Sequence, residues 1–130
     1  MAELTIERLG TDGVGLARHE GKIIALPYTL PGELVRIEPG KTPRLVERLS
    51  DSPDRVAPPC RHFGTCGGCQ LQHLSAESYC RFKEQLALDA LARHGFANVP
   101  VEPARVSPPG SRRRATIELC RAGGRVLAGF

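Results

Sequence analysis

The chain has 130 residues, 41% of them hydrophobic but only 5% aromatic and none tryptophan, with 18 basic against 14 acidic side chains and a net charge of +4. That length holds one ordinary domain or two small ones with modest aliphatic cores. No run approaches the ~20 apolar residues of a membrane-spanning helix, and Met1 to Thr5 lack the basic start and apolar stretch of a secretory signal, so a cytoplasmic protein with no membrane partner is expected. The charge is unevenly placed: residues 1–100 balance acids and bases, whereas residues 101–130 hold six arginines against Glu102 and Glu118.

Residues 3–49 read as short strands punctuated by turns. Leu4–Leu9 runs into a Gly10–Gly15 turn, Leu16–Arg18 into His19-Glu20-Gly21, and Lys22–Tyr28 into Leu30-Pro31-Gly32. Glu33–Glu38, with its Val35/Ile37 pair, and Arg44–Leu49 complete the series. Four or five strands at this spacing predict a small β-barrel of the OB or SH3-like kind over residues 1–50. Gly10-x-x-Gly13-x-Gly15 has the wrong spacing for a dinucleotide fingerprint, and no helix follows, so it reads as a hairpin turn.

Ser50-Asp51-Ser52-Pro53-Asp54 and Pro58-Pro59 break both periodicities and predict a linker, with a boundary near residue 50. Residues 51–97 hold a cysteine segment and then a helix over about 76–94, with Ser75 as N-cap, Glu77 in the first turn and Gly95 as its stop. Tyr79, Phe82, Leu86 and Ala90 recur at helical spacing and are expected to face a core. Pro100, Pro103, Pro108, Pro109 and Gly110 mark an irregular stretch. Ala115–Leu119 and Arg125–Ala128 then read as a hairpin turning on Gly123-Gly124. A lone hairpin is marginal in water, so residues 98–130 are expected to begin a further β-rich domain, and the 130 residues to be the N-terminal part of a longer protein.

Cys60-x5-Cys66-Gly67-Gly68-Cys69 places three of the five cysteines in ten residues. Thiolates spaced about a Gly-Gly pair can wrap one centre, because glycines accept positive φ and let backbone N–H groups turn towards bound sulfurs. An odd cysteine count in a reducing compartment fits ligation better than a disulfide framework. A tetrahedral zinc or a cubane cluster takes four ligands. His62 or His73 would complete a Cys3His zinc site, and Cys80 or Cys120 could supply a fourth thiolate, although each reads more simply as structural. A single C-x2-C knuckle argues against a zinc ribbon. Arg112, Arg113 and Arg114, flanked by Arg105, Arg121 and Arg125, point to a nucleic-acid partner, since guanidinium groups pair with phosphate and stack on bases. A solvated strand edge is the plainer alternative.

Cys60-Arg-His-Phe-Gly-Thr-Cys66-Gly-Gly-Cys69-Gln-Leu-Gln-His73, preceded by Ser52-Pro53-Asp54-Arg55-Val56 and Leu30-Pro31-Gly32-Glu33, resembles the bacterial RNA (uracil-5-)-methyltransferases, nearest the branch acting on 23S ribosomal RNA. The likeness covers essentially the whole chain, with Ser111 where the family often has tyrosine before Arg-Arg-Arg-Ala. It implies an OB-like TRAM barrel, an iron–sulfur loop-helix segment, and the start of a central β domain. It further implies a [4Fe–4S] cluster held by Cys60, Cys66 and Cys69, the fourth ligand lying beyond Phe130. The family's S-adenosylmethionine site, attacking Cys and assisting Glu find no match here, so no catalytic or cofactor-binding residue is assigned and this stretch alone should not methylate RNA. The role implied for these residues is RNA recognition by a monomer. Arg112, Arg113 and Arg114 would grip phosphates, and the cluster would fix the loop presenting His62 and Phe63, with Tyr28 and Phe63 available to stack on bases. The second reading is a stand-alone RNA-binding protein with a zinc or iron–sulfur knuckle.

Overall fold

The computed structural model describes residues 1–130. Strands β1 (Ala2–Thr5) and β2 (Arg8–Leu9) are two arms of one segment that changes sheets at Ile6-Glu7. β3 (Gly15–His19) pairs with β2 and with β4 (Lys22–Leu26), while β5 (Leu34–Glu38) pairs with β1 and with β6 (Arg44–Arg48), all antiparallel. The expected single strand over Leu4–Leu9 is thus corrected to two. At the corner Ile6 N–H donates to the Glu33 carbonyl at 2.9 Å, and the next amide, Glu7 N–H, donates to the Leu16 carbonyl at 2.8 Å. Successive residues therefore bond to different sheets, which folds two three-stranded layers into a small barrel.

The barrel core is Leu4, Ile6, Ala17, Ile24, Leu26, Val35 and Ile37, supplied by alternate positions of the strands. Turn chemistry sets the registers. Glu20 (φ 49°) and Gly21 (φ 77°) form the two-residue link that pairs His19 with Lys22. Gly10 N–H donates to the Val14 carbonyl at 2.7 Å and closes the expected hairpin turn. At Gly15 a Cβ would lie 2.0 Å from Thr29 Oγ1, so only glycine fits at the start of β3.

After β6 the chain loses regular structure, as its Pro and Ser-Asp signals predict, yet it stays on the barrel. Val56 N–H donates to the His73 carbonyl (2.9 Å), Ser75 N–H to the Asp54 carbonyl (2.8 Å), and Arg55 bridges to Leu74. These bonds form a neck from which the cysteine segment loops out. The neck is bound to the barrel through Glu33, whose carboxylate is completely buried. Its Oε2 accepts Leu30 N–H at 2.9 Å and Arg55 Nη2 at 3.0 Å, and its Oε1 accepts Ser52 N–H at 3.3 Å and Arg55 Nε. Arg55 Nη2 also donates to the Tyr28 carbonyl at 2.8 Å. Burial alone would raise the Glu33 carboxyl, but Arg55 and the two amides outweigh it and hold it below its ordinary value.

Helix α1 (Ala76–Arg93) begins where expected, with Ser75 Oγ accepting Ser78 N–H at 3.3 Å. It ends as His94 and Phe96 N–H converge on the Leu91 carbonyl around Gly95 (φ 85°). Its apolar stripe does not enter a core: Tyr79, Phe82, Leu86 and Ala90 are half-buried, and only Ser78 on the helix is buried. The start of the helix is tied to the neck, with Arg81 3.8 Å from Asp54. The stripe lines an open cleft, in which Phe82 and Leu86 face Leu9 and Pro31. Strands β7 (Glu118–Ala122) and β8 (Arg125–Gly129) form a hairpin whose first arm starts three residues later than expected. Gly123 (φ 55°) and Gly124 (φ 76°) oppose Ala122 to Arg125, and the ladder counts back from there to Glu118 opposite Gly129.

Replacing Arg55 by Met would strand a buried carboxylate and is expected to destabilise the barrel by about 3–5 kcal/mol. The shift of the urea unfolding midpoint reads this, and a midpoint equal to that of the parent would show that the pair does not hold the neck.

Candidate thiol centre

The thiol loop is shaped by local backbone bonds. Phe63 N–H donates to the Cys60 carbonyl (3.1 Å), Thr65 and Cys66 N–H to the His62 carbonyl (3.1 and 2.9 Å), and Cys60 N–H to Gln72 Oε1 (3.2 Å). Gly64 (φ 85°) and Gly67 (φ 82°) occupy left-handed positions, so the positive φ expected of the Gly-Gly pair is taken up by Gly67 and not by Gly68. Cys60 and Cys69 are exposed and Cys66 is half-buried. Backbone amides of Gly68 and then Phe130 face the Cys66 sulfur and hold its thiol below the ordinary value.

As donors the three thiols fit a thiolate-bound centre. Their spacing is that of an open loop, for no three Cys, His, Asp or Glu side chains stand close enough together to hold a metal ion. A cavity of about 630 Å³ lies between the loop and the β7–β8 hairpin, and Cys60, His62, Cys66 and Cys120 all line it, with Ile117, Leu127 and Phe130 as apolar walls. Cys120 thus belongs to the surroundings of the loop, while Cys80 stands half-buried on α1.

His73 is not beside the thiols. It is completely buried at the neck, its ring 5.3 Å from Phe63 and 6.3 Å from Tyr28, and neither ring nitrogen has a hydrogen-bond partner. The Thr29 carbonyl faces it without reaching hydrogen-bond geometry. Burial, with the nearby Arg55 charge, pushes the imidazole down to about 4 against the opposing pull of Glu33. Tyr28 and Phe63 meet edge to face at 5.1 Å, so the two aromatics considered for base stacking spend ring surface on each other and on His73. His62 is exposed at the loop tip.

Arg112, Arg113 and Arg114 lie in the irregular stretch before β7, exposed and without a carboxylate partner. Arg36 on the barrel is different, clamped between Glu3 (2.8 Å) and Glu47 (2.6 Å). The residues that sequence reasoning missed are Glu33 and Arg55 as the joint of the molecule. A signal existed: Glu33 shares strand parity with the inward-facing Val35 and Ile37, which marks a carboxylate pointing into a core.

Residues 2–38, the stretch that carries β1 to β5, match the TRAM domain. Over nearly its whole length the chain is also a relative of proteins named RNA methyltransferases. It is 45% identical over 95% of its length to an uncharacterized RNA methyltransferase of Caulobacter vibrioides, covering 30% of that protein. It is 42% identical over 98% of its length to one of Rhizobium meliloti, covering 32% of it. It is 36% identical over 98% of its length to a 23S rRNA (uracil(1939)-C(5))-methyltransferase of Francisella tularensis subsp. novicida, covering 31% of it. The chain therefore spans about a third of the length of the curated relatives it matches.

The buried imidazole makes stability depend on pH. Its value is about 4 folded against 6.5 for the ordinary group, so between these values the unfolded chain binds more protons. Stability is full above about pH 6.5 and falls on acidification towards pH 4, by on the order of 3 kcal/mol. Glu33 loses its contribution only below its ordinary value of 4.5. Urea melts between about pH 7 and 5 therefore isolate the histidine, and His73→Phe is expected to flatten the slope there.

Proposed function

We propose that these residues are the RNA-recognising part of an S-adenosylmethionine-dependent RNA uracil-5 methyltransferase that acts on 23S ribosomal RNA as a cytoplasmic monomer. The observation that carries this reading is the likeness to the Francisella enzyme along 98% of the chain. The TRAM domain and the unpaired arginines 112–114 support an RNA partner. In this reading residues 1–50 are the barrel, 51–97 the iron–sulfur segment with its helix, and 98–130 the beginning of a central β domain. Attack on the uracil and binding of S-adenosylmethionine belong to other parts of such an enzyme.

Cys60, Cys66 and Cys69 would hold a [4Fe–4S] cluster, which when bound supplies a compact thiolate-ligated anchor for the loop. The neck keeps the loop ends on the barrel, and Arg112, Arg113 and Arg114 contact phosphates. His62 offers a ring at the loop tip, and Phe63 offers whatever ring surface Tyr28 and His73 leave free.

Exchanging Arg112, Arg113 and Arg114 for Ser should weaken binding to a uridine-containing 23S ribosomal RNA fragment and lower the salt slope of log K by about 2, the share of three single-strand phosphate contacts. Fluorescence anisotropy across a salt series measures both, and unchanged affinity and slope would remove the arginines from the interface. Anaerobic reconstitution tests the anchor: iron and sulfide should bind to the parent chain and be lost in Cys66→Ser.

A further inference from the structure

The two adjacent glycines of the thiol loop serve different ends. Gly67 needs its left-handed backbone, but Gly68 does not adopt positive φ. A Cβ at Gly68 would instead stand 2.9 Å from Phe130 Cβ and Cδ2 and 3.0 Å from Cγ, inside the distance real Cβ atoms keep. Across the same contact, a Cβ at Gly129 would lie 3.5 Å from the Cys66 carbonyl oxygen and 3.6 Å from its Sγ. Each side thus presents a glycine where the other presents a side chain, Phe130 over Gly68 and Cys66 against Gly129. Cys66 is accordingly half-buried while its two companions are exposed.

The hairpin has little else to rest on. β7 and β8 pair with each other and make no substantial contact with the barrel strands or α1. A free two-stranded hairpin is marginal in water, so the surface that receives its end decides where it stands. That surface is the Gly67-Gly68 turn and the wall of the shared cavity, to which Cys60, His62 and Cys66 contribute from the loop and Ile117, Cys120 and Leu127 from the hairpin segment.

We propose that the β7–β8 hairpin is a cover seated on the thiol loop through the Phe130–Gly68 contact, with Phe130 and Gly68 as positioning residues that shield Cys66. The inference rests on the functional reading above only for the identity of the centre the loop would hold. It also gives Gly68 a role other than backbone freedom, namely leaving room for an aromatic ring from a segment 62 residues further along the chain.

The test is site-resolved alkylation of the metal-free chain with iodoacetamide, followed by peptide mass mapping. Cys80, on α1 and outside the cavity, serves as the internal standard. In Gly68→Ala, where the new methyl displaces the ring, and in Phe130→Ala, where the ring is removed, Cys66 should react severalfold faster than in the parent while Cys80 keeps its rate. Phe130→Leu, which keeps apolar bulk, should restore most of the protection. If Gly68→Ala fails to fold, Phe130→Ala leaves the loop sequence intact and carries the test alone. A parental Cys66 rate in Phe130→Ala overturns the proposal. Neither RNA nor iron enters the readout, so failure of the cover and failure of the functional reading are separable.

Discussion

One buried carboxylate ties the parts of this molecule together. Glu33 accepts a backbone amide from the turn that precedes it, an amide from the segment leaving the barrel, and the guanidinium of Arg55. Each of these partners lies outside the named strands and the helix, and two of them, Leu30 and Ser52, offer amides that no strand ladder satisfies. Burying an ion costs several kcal/mol, and here the cost is offset by a bidentate partner and two amides rather than by solvent. The arrangement is poor as a source of net stability and strong as a specifier, because any other placement of residues 52–56 would take away the bidentate partner and one amide and leave only Leu30 N–H and the more distant Arg48.

Local signals in the sequence were sufficient wherever the structure is decided locally. Ser75 and Gly95 bounded the helix, Glu20-Gly21 and Gly123-Gly124 located two hairpins, and the cysteine spacing singled out the loop. They failed where a distant partner decides. Nothing in Leu4–Leu9 says that Ile6 and Glu7 bond to different sheets. The helical stripe Tyr79, Phe82, Leu86, Ala90 says which face is apolar but not whether anything packs upon it. Glu33 was readable by parity alone, since strand positions 33, 35 and 37 share a side, but its partner Arg55 lies in a segment whose composition signals only a break.

The thiol loop illustrates the same division. Its donors and its positive-φ glycine are local and visible in the sequence, whereas part of what surrounds them comes from afar, with Cys120 and Phe130 supplied by the hairpin. His73, adjacent in sequence to the loop, goes the other way and is buried at the neck between aromatic rings with its nitrogens unpaired. Proximity along the chain was a poor guide to which histidine shares the thiols' cavity, and His62 is the one that does.

The neck has an effect at a distance. Val56 and Leu74 flank a segment whose two ends are held side by side by backbone bonds and, through Arg55, by the barrel. The entropy of bringing those ends together is therefore spent when the barrel folds, not when something binds at the tip. Three sulfurs tethered in one closed loop confront an incoming ion at a high effective concentration, as a chelate does. In the proposed reading, an ion pair that touches no sulfur would thereby bear on how tightly the tip binds.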